Sequence, residues 1–184
     1  MKIEQTPLDG CFVVHETVHG DARGYFIETF NQRDFNAATG LDIVFVQDNQ
    51  SKSSKGVLRG LHMQRGAAAQ AKLVRVLEGA VLDVVVDLRK GSPSFGQHFT
   101  IELTADNHKQ FFVPAGFAHG FVVLSESATF FYKVDKFYEP GNEVGIMYND
   151  KDLNIDWRLP ISELKFSEKD KTLGSFKEYC DSLG

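Results

Sequence analysis

Short apolar runs separated by turn residues are the feature that most limits how this chain can fold. The runs are rich in Val, Ile and Phe, and Gly, Pro, Asn or Asp stands between them. They are KLVRVLEG, AVLDVVVDLR, HFTIEL, KQFFVPAGF, GFVVLS and ATFFYKVDKFY. β-Branched and aromatic residues favour strands, and strands with frequent turns between them are typical of antiparallel architectures. The pattern therefore predicts an all-β sandwich or barrel.

Helical patterns are confined to two stretches. NQRDFNAATG ends at Gly40, a residue that stops helices, and SEKDKTLGSFKEYC lies near the C-terminal end. Both are short, and we expect them at the periphery. The 184 residues show neither an internal repeat nor a low-complexity linker, and this length suits one well-buried core. We therefore expect a single domain over residues 1–184.

Composition argues against several classes of function. A formal net charge of −5 disfavours general binding to nucleic acid, so a local group of Arg and Lys must hold any anionic ligand. No segment approaches the run of about 20 apolar residues that spans a bilayer, and MKIEQTPLDG lacks the apolar core of a signal peptide. We therefore expect a cytoplasmic protein with no membrane partner. Cys11 and Cys180 stand far apart without a CxxC pair, which argues against a disulfide framework or a zinc cluster.

The stretch GVLRGLHMQ carries a guanidinium and an imidazole, Arg59 and His62, within an apolar strand pattern. Strict alternation along a strand would point these two side chains to opposite faces. Gly60 between them permits a bulge that redirects Arg59, and a position of Arg59 at a barrel rim is the alternative. Taken alone, a His in such a strand is more often a hydrogen-bonded core residue than a functional one.

Other polar side chains also interrupt apolar faces. Lys72 lies in the valine row of KLVRVLEG, Tyr132 lies in the aromatic row of TFFYKV, and Glu28 lies on the phenylalanine face of GYFIETF. Any one of them could be an edge residue whose polar end reaches water. Buried lysines, however, are rare unless they are paired or functional. Together with His62, these residues predict a polar cavity inside an apolar barrel.

A metal centre is the competing use for histidines in such a cavity. Pro114-Ala-Gly-Phe-Ala-His119 resembles the second metal-binding motif of the cupins, and GVLRGLHMQ stands in the place of the first. Gln64 occupies the position of a second histidine in metal-binding cupins, and GAAAQ replaces their acidic ligand. Two histidines without a third ligand make a poor site for a transition metal. The resemblance therefore implies a cupin-type jelly-roll barrel with short peripheral helices, and we expect no metal.

The motifs along nearly the whole chain resemble one family of cupins. DARGYFIETF, VQDNQSKSSKGVLRGLH, QAKLVRVLEGAVLDVVVDLRKGSPSFG, FFVPAGFAHGFVVLS, YKVDKFYEPGNEVGI, NDKDLNIDW and SEKD are similar in order and spacing to segments of the dTDP-4-dehydrorhamnose 3,5-epimerases. MQRGAAAQ departs from that family, which commonly has an aromatic residue at the position of Met63 and a Pro pair in the following loop. The resemblance implies a homodimeric isomerase of dTDP-L-rhamnose biosynthesis, acting on C3 and C5 of dTDP-4-dehydro-6-deoxy-D-glucose.

The resemblance implies a base, an acid and a stabilising cation. By resemblance, His62 removes a proton next to the ketone, and Asp170 holds the other nitrogen of its ring. Tyr132 returns a proton from the opposite face, and Lys72 offsets the charge on the enolate oxygen. Such roles are needed because a proton α to a carbonyl is weakly acidic. None of these steps requires a redox cofactor.

The resemblance also implies a site for a nucleotide sugar. Guanidinium groups suit a diphosphate because they bind two oxygens at once. In the family an aromatic ring stacks on thymine, and the N-terminal segment helps to complete the site of the neighbouring subunit. The residues so implied are Arg23 and Arg59 for the diphosphate, Tyr138 for thymine, Phe26 and Glu28 in the N-terminal segment, Gln47 and Asn49 as hydrogen-bonding groups, His119 and Glu143 near the sugar, and Lys169 as a further basic contact.

Two other classes remain open at this point. A sugar-binding cupin without catalysis would keep Arg23, Arg59 and Tyr138 but would not need a His, a Tyr and a Lys directed at one carbon. A metal-dependent cupin oxygenase or isomerase would require the ligand set that Gln64 interrupts. Close relatives of the epimerases invert a single carbon, so one inversion and two both stay open.

Overall fold

Short strands follow one another along the chain, as the apolar runs predict. A computed structural model of the protein describes residues 1–183. Over this range the strands are β1 (Lys2–Gln5), β2 (Phe12–His15), β3 (Val18–Asp21), β4 (Gly24–Ile27), β5 (Gln47–Ser54), β6 (Leu58–Gln64), β7 (Lys72–Glu78), β8 (Ala80–Asp87), β9 (His98–Thr104), β10 (Lys109–Val113), β11 (Phe117–Val123), β12 (Ser127–Val134) and β13 (Glu143–Gly145). The α-helices are α1 (Gln32–Thr39) and α2 (Phe176–Asp181), and single 3-10 turns lie at Gly66–Ala68, Ile161–Glu163 and Asp170–Thr172.

Two antiparallel sheets form the barrel. One has the strand order β1-β2-β10-β7-β12-β5, and the other has the order β13-β6-β11-β8-β9. Within residues 1–183, β3 and β4 pair only with each other. Many neighbouring strands are distant in sequence, so the chain crosses repeatedly from one sheet to the other. This is a double-sheet jelly roll, and it confirms the expected all-β, cupin-type barrel with short peripheral helices.

The main core lies between the inner faces of the two sheets. The six-stranded sheet contributes Val74 and Phe130, and the five-stranded sheet contributes Val85 and Phe121. The rings of Phe121 and Phe130 stack with their centroids 4.2 Å apart. Burial of a side chain of this size contributes about 1.5–3 kcal/mol relative to exposure. These contacts therefore hold the sheets together.

Each sheet is also covered on its outer face. Phe35 of α1 and the nearby Ile43 pack against the six-stranded sheet. Trp157 and Phe176, from the C-terminal part of the chain, pack against the five-stranded sheet. β8 is therefore buried on both faces, which explains why AVLDVVVD lacks a regular alternation of apolar and polar residues.

Both helical predictions are confirmed. The Asn31 side chain caps α1 by accepting a hydrogen bond from a backbone N–H of the first turn (3.3 Å), and Gly40 ends the helix with φ 72°. The C-terminal stretch forms a 3-10 turn and then α2, which begins with a capping box between Ser175 and Glu178. In the described part of the chain, no helix is long and apolar enough to cross a membrane. The cytoplasmic location stays a prediction.

Candidate active site

A cavity of about 620 Å³ opens between the two sheets, and residues of the C-terminal segment close one side of it. Phe121 and Phe130 give the wall an apolar part. Converging polar groups beside an apolar patch are a common feature of small-molecule sites. The residues predicted from sequence that line this cavity are Asn49, Arg59, His62, Lys72, His119, Tyr132, Glu143, Lys169 and Asp170.

A bulge in β6 brings Arg59 and His62 to the same cavity. His62 pairs with His119 of β11, whereas Arg59 pairs with Phe121, so three steps along β6 correspond to two steps along β11. Strict alternation is therefore wrong for this strand. The alternative of a bulge at Gly60 is confirmed.

Only glycine fits at this bulge without displacing backbone. Gly60 has φ 126°, and a Cβ there would lie 2.5 Å from Cα of Gly120 and 2.8 Å from the carbonyl oxygen of His119. A Cβ on Gly120 would in turn lie 2.7 Å from the carbonyl oxygen of Arg59. Because these clashes are with main-chain atoms, no rotation of a side chain relieves them. The glycine pair thus allows β6 and β11 to approach closely beside His62.

His62 lies between two carboxylates. Its Nε2 is 2.6 Å from Oδ1 of Asp170, and its Nδ1 is 3.6 Å from Oε1 of Glu143. The closer contact places the charge of a carboxylate directly beside the ring nitrogen. The other oxygen of Asp170 accepts a hydrogen bond from the Ser167 hydroxyl (2.7 Å), which holds the carboxylate in place. Asp170 is only 3% exposed, so water screens its charge poorly.

Burial favours the neutral forms of His62 and Tyr132. Desolvation lowers the pKa of His62, although the charges of Asp170 and Glu143 partly oppose the shift. Desolvation also raises the pKa of Tyr132, against the effect of the Arg59 charge. Near neutral pH the cavity therefore holds an uncharged imidazole, which can accept a proton, and a protonated phenol, which can donate one.

Lys72 reaches the cavity from β7. Within residues 1–183, no carboxylate forms an ion pair with its ammonium group. Burial lowers the pKa of Lys72 to about 8, and the charges of Asp83 and Glu143 oppose this shift. Most of the ammonium is still charged at neutral pH, so Lys72 can offset a negative charge that develops in the cavity.

Reasoning from the sequence missed one acidic residue behind the site. Asp83 of β8 is fully buried, and its Oδ2 lies 2.9 Å from Nε2 of His119. Its other oxygen has no hydrogen-bond partner among the described residues. Burial raises the pKa of Asp83, whereas the charges of His119 and Lys72 oppose the shift. The signal was available, because an Asp within the run AVLDVVVD is as unusual as the lysine in KLVRVLEG.

Glu143 links the cavity to its rim. Its carboxylate accepts hydrogen bonds from Nζ of Lys169 (2.5 Å) and from the hydroxyl of Tyr138 (3.2 Å). The Gln47 side chain accepts a hydrogen bond from the Tyr138 N–H (3.4 Å) and donates one to the Asn49 side chain (2.8 Å). Tyr138 is 49% exposed. Gln47 and Tyr138 therefore lie beside the cavity without lining it.

The metal-binding motif of the cupins is incomplete in space as well as in sequence. Gln64 accepts a hydrogen bond from the Glu139 N–H (3.0 Å). In the part of the chain that the structure describes, no group of three or more His, Cys, Asp or Glu side chains is arranged to hold a metal ion. Cys11 and Cys180 are free thiols. The absence of a metal and of a cofactor stays a prediction.

Comparison with known proteins identifies the family. Residues 5–178 match the family model described as dTDP-4-dehydrorhamnose 3,5-epimerase. The chain belongs to this family. Its named relatives are epimerases and hence isomerases. The matched range contains every residue for which the sequence predicted a role in the site.

Individual relatives are similar over almost their whole length. The dTDP-4-dehydrorhamnose 3,5-epimerase of Pseudomonas aeruginosa is 49% identical over 178 residues, which cover 97% of each chain. The crystal structure of the enzyme of that name from Elizabethkingia anophelis is 54% identical, with a TM-score of 0.94 and coverage of 97% of both chains. A second crystal structure shows dTDP-6-deoxy-D-glucose-3,5-epimerase from Legionella pneumophila in complex with dTDP-4-keto-L-rhamnose. It is 44% identical, with a TM-score of 0.92 and coverage of 96% of this chain and 93% of that one.

Some residues that the epimerase resemblance implies do not line the cavity of their own chain. Arg23 lies in the turn between β3 and β4, where it pairs with Asp21 (2.5 Å). Phe26 of the same hairpin is 68% exposed, and Glu28 follows it on the surface. The prediction that Glu28 interrupts an inward apolar face is wrong, because β4 ends at Ile27 and its hairpin is separate from both sheets.

Proposed function

We propose that the protein is a dTDP-4-dehydrorhamnose 3,5-epimerase, which inverts C3 and C5 of dTDP-4-dehydro-6-deoxy-D-glucose in dTDP-L-rhamnose biosynthesis. The observation that carries the proposal is the convergence of His62, Tyr132 and Lys72 on one cavity, in a chain of the epimerase family. The Legionella relative, crystallised with dTDP-4-keto-L-rhamnose, holds a ligand of the class that the proposal requires.

The base and the acid approach the sugar from facing sheets. His62 is on β6 of the five-stranded sheet, and Tyr132 is on β12 of the six-stranded sheet. A sugar bound between the sheets has one of these groups on each face. Removal of a proton by His62 and delivery of a proton by Tyr132 therefore invert the carbon. Asp170 orients the imidazole and stabilises the imidazolium that forms.

The intermediate between the two proton transfers is an enolate. When the C–H bond breaks, its electron pair moves towards the ketone, and negative charge develops on the ketone oxygen. The ammonium group of Lys72 stabilises that charge in a cavity where water screens it poorly. After each inversion His62 releases its proton to water and Tyr132 regains one, so the enzyme returns to its starting state.

The rest of the site binds the nucleotide, and the proposal includes a homodimer. A hairpin of two strands has little stability by itself, and the exposed Phe26 ring on the β3–β4 hairpin gives it an apolar surface for a second subunit. The hairpin then adds its arginine to the neighbouring site. The proposed substrate-binding residues are Arg59, Gln47, Asn49, His119, Tyr138, Glu143 and Lys169 of one subunit with Arg23, Phe26 and Glu28 of the neighbouring subunit.

The test is NMR of the dTDP-4-keto-6-deoxyglucose reaction in D2O. Deuterium at C3 and at C5, together with the inverted product, is the expected result. His62→Ala should lower turnover by at least about 10²–10⁴-fold, while folding and dTDP affinity stay near those of the wild type. Near-normal exchange in that variant would remove His62 from the mechanism. Wild-type protein that exchanges neither proton would refute the proposed function.

A further inference from the structure

A lysine outside the predicted set lines the cavity wall formed by the C-terminal segment. Leu164 and Phe166 anchor this segment in the apolar cluster behind the five-stranded sheet, and Phe166 stacks on Tyr148 with centroids 4.2 Å apart. Phe166 also reaches the cavity, and Lys165 and Ser167 on either side of it line the same wall. The anchored residues thus fix the path of the backbone that carries Lys165.

Main-chain hydrogen bonds place Lys165 next to the strand that carries Arg59. The Lys165 N–H donates to the carbonyl of Gly56 (2.8 Å), and the Leu58 N–H donates to the carbonyl of Lys165 (2.9 Å). These bonds pair Lys165 with Val57 in a parallel bridge. The bridge places Lys165 beside Val57, two residues before Arg59, and all three residues line the cavity. Lys165 therefore lies at the Arg59 end of it.

This end of the cavity has an excess of positive charge. Within residues 1–183, neither Arg59 nor Lys165 has a carboxylate in ion-pair contact, and Arg59 donates to the neutral hydroxyl of Ser53 (3.2 Å). Lys169, in contrast, is paired with Glu143 at 2.5 Å. Two neighbouring cations without counter-charges repel each other, and an anion between them removes that repulsion. In a protein of net charge −5, such a pair is a local feature of the site and not of the whole surface.

We propose that Lys165 is a further substrate-binding residue, which contacts the diphosphate of the nucleotide sugar together with Arg59. The guanidinium binds two phosphate oxygens in a fixed plane, and the lysine adds a mobile point charge. The identity of the anion rests on the proposed function. The excess of positive charge and the position of Lys165 do not.

The experiment compares dTDP with thymidine as calorimetric ligands of the full-length protein. Lys165→Gln should weaken dTDP binding about tenfold, which corresponds to the lower end of the free-energy range for a hydrogen bond to a charged group. It should change thymidine binding less than twofold, because thymidine has no phosphate. Lys165→Arg should retain dTDP affinity within about threefold, because it keeps the charge. Lys151→Gln is the matched control, since Lys151 is exposed and does not line the cavity. In NMR assays, kcat/KM of Lys165→Gln should fall about tenfold, mostly through KM.

The outcomes separate this inference from the proposed function. If Lys165→Gln loses equal affinity for dTDP and thymidine, or binds dTDP as tightly as Lys151→Gln does, the role of Lys165 is overturned. If the wild-type enzyme is nevertheless active, the epimerase proposal stays intact. Wild-type protein that binds dTDP through Lys165 but exchanges no proton would refute the epimerase proposal and support the diphosphate contact.

Discussion

The alkaline limit of the reaction should report the charge of Lys72. Burial lowers the pKa of this ammonium to about 8, with Asp83 and Glu143 opposing the shift. A group with that pKa is about 90% charged at pH 7 and about 10% charged at pH 9. In the proposed mechanism only the charged form stabilises the enolate oxygen. We therefore expect kcat/KM to fall about tenfold between pH 7 and pH 9.

The other titrating groups of the site act elsewhere on the pH scale. Burial raises the pKa of Tyr132 above its ordinary value of 10.0, so loss of the phenolic proton limits the rate only at higher pH. Burial lowers the pKa of His62 below 6.5, so protonation of the imidazole limits the rate only on the acid side. An alkaline limb near pH 8 therefore points to Lys72 among these three groups.

The assay is the initial rate of deuterium incorporation at low substrate, from pH 5 to pH 10. Under these conditions kcat/KM reports groups of the free enzyme, which is the state that the structure describes. Blanks without enzyme correct for base-catalysed exchange of the keto sugar. Lys72→Arg is the decisive variant, because its guanidinium stays charged throughout the range. Its rate should be lower, but its alkaline limb should flatten. A limb that stays near pH 8 in this variant, or a wild-type limb only above pH 10, would refute the reasoning.

Three substitutions test other parts of the site. Tyr132→Phe should let deuterium enter the substrate faster than inverted product appears, because only the returning acid is lost; an unchanged ratio of the two rates by NMR would remove Tyr132 from the mechanism. Asp170→Asn should lower turnover by about 10²–10⁴-fold. It should also move the acid limb of the pH–rate profile to lower pH, since the carboxylate raises the pKa of His62; an acid limb that does not move would contradict the pairing of Asp170 with His62. Gly60→Ala should lose at least about 2 kcal/mol more stability in urea unfolding than Gly24→Ala, because the two glycines have φ 126° and 127° but a Cβ on Gly24 meets nothing within 4 Å; equal losses would show that close strand approach is unimportant.

Much of the barrel could be predicted from the sequence because its strands are marked by apolar runs and turn residues. The same contrast identified three cavity residues, since His62, Lys72 and Tyr132 each interrupt an apolar face. β5 was harder to predict, because QDNQSKSS is polar and most of its side chains are partly or fully exposed. Its strand conformation comes from pairing with β12 along its whole length.

The parts of the site outside the strands left a weaker signal. Asp170 and Lys165 stand in a polar stretch with no regular spacing relative to the strands, so no sequence period predicts that they line the cavity. Only the family resemblance identified Asp170, and Lys165 became visible through its main-chain bonds to β6. The sequence could not decide between a bulge at Gly60 and a rim position for Arg59. The bulge depends on the contact of Gly60 with Gly120, which lies on another strand.

Burial of the cavity favours the useful protonation states of His62, Lys72 and Tyr132 only over a limited range of hydration. Desolvation lowers the pKa values of His62 and Lys72 and raises that of Tyr132. A wetter cavity would return the imidazole towards its ordinary pKa and leave less of the neutral base at pH 7. A drier cavity would bring the pKa of Lys72 below neutrality and remove the charge that stabilises the enolate. The carboxylates of Asp83 and Glu143 raise the pKa of Lys72. Because of these two carboxylates, Lys72 can stay charged in a cavity that is buried enough to keep His62 neutral.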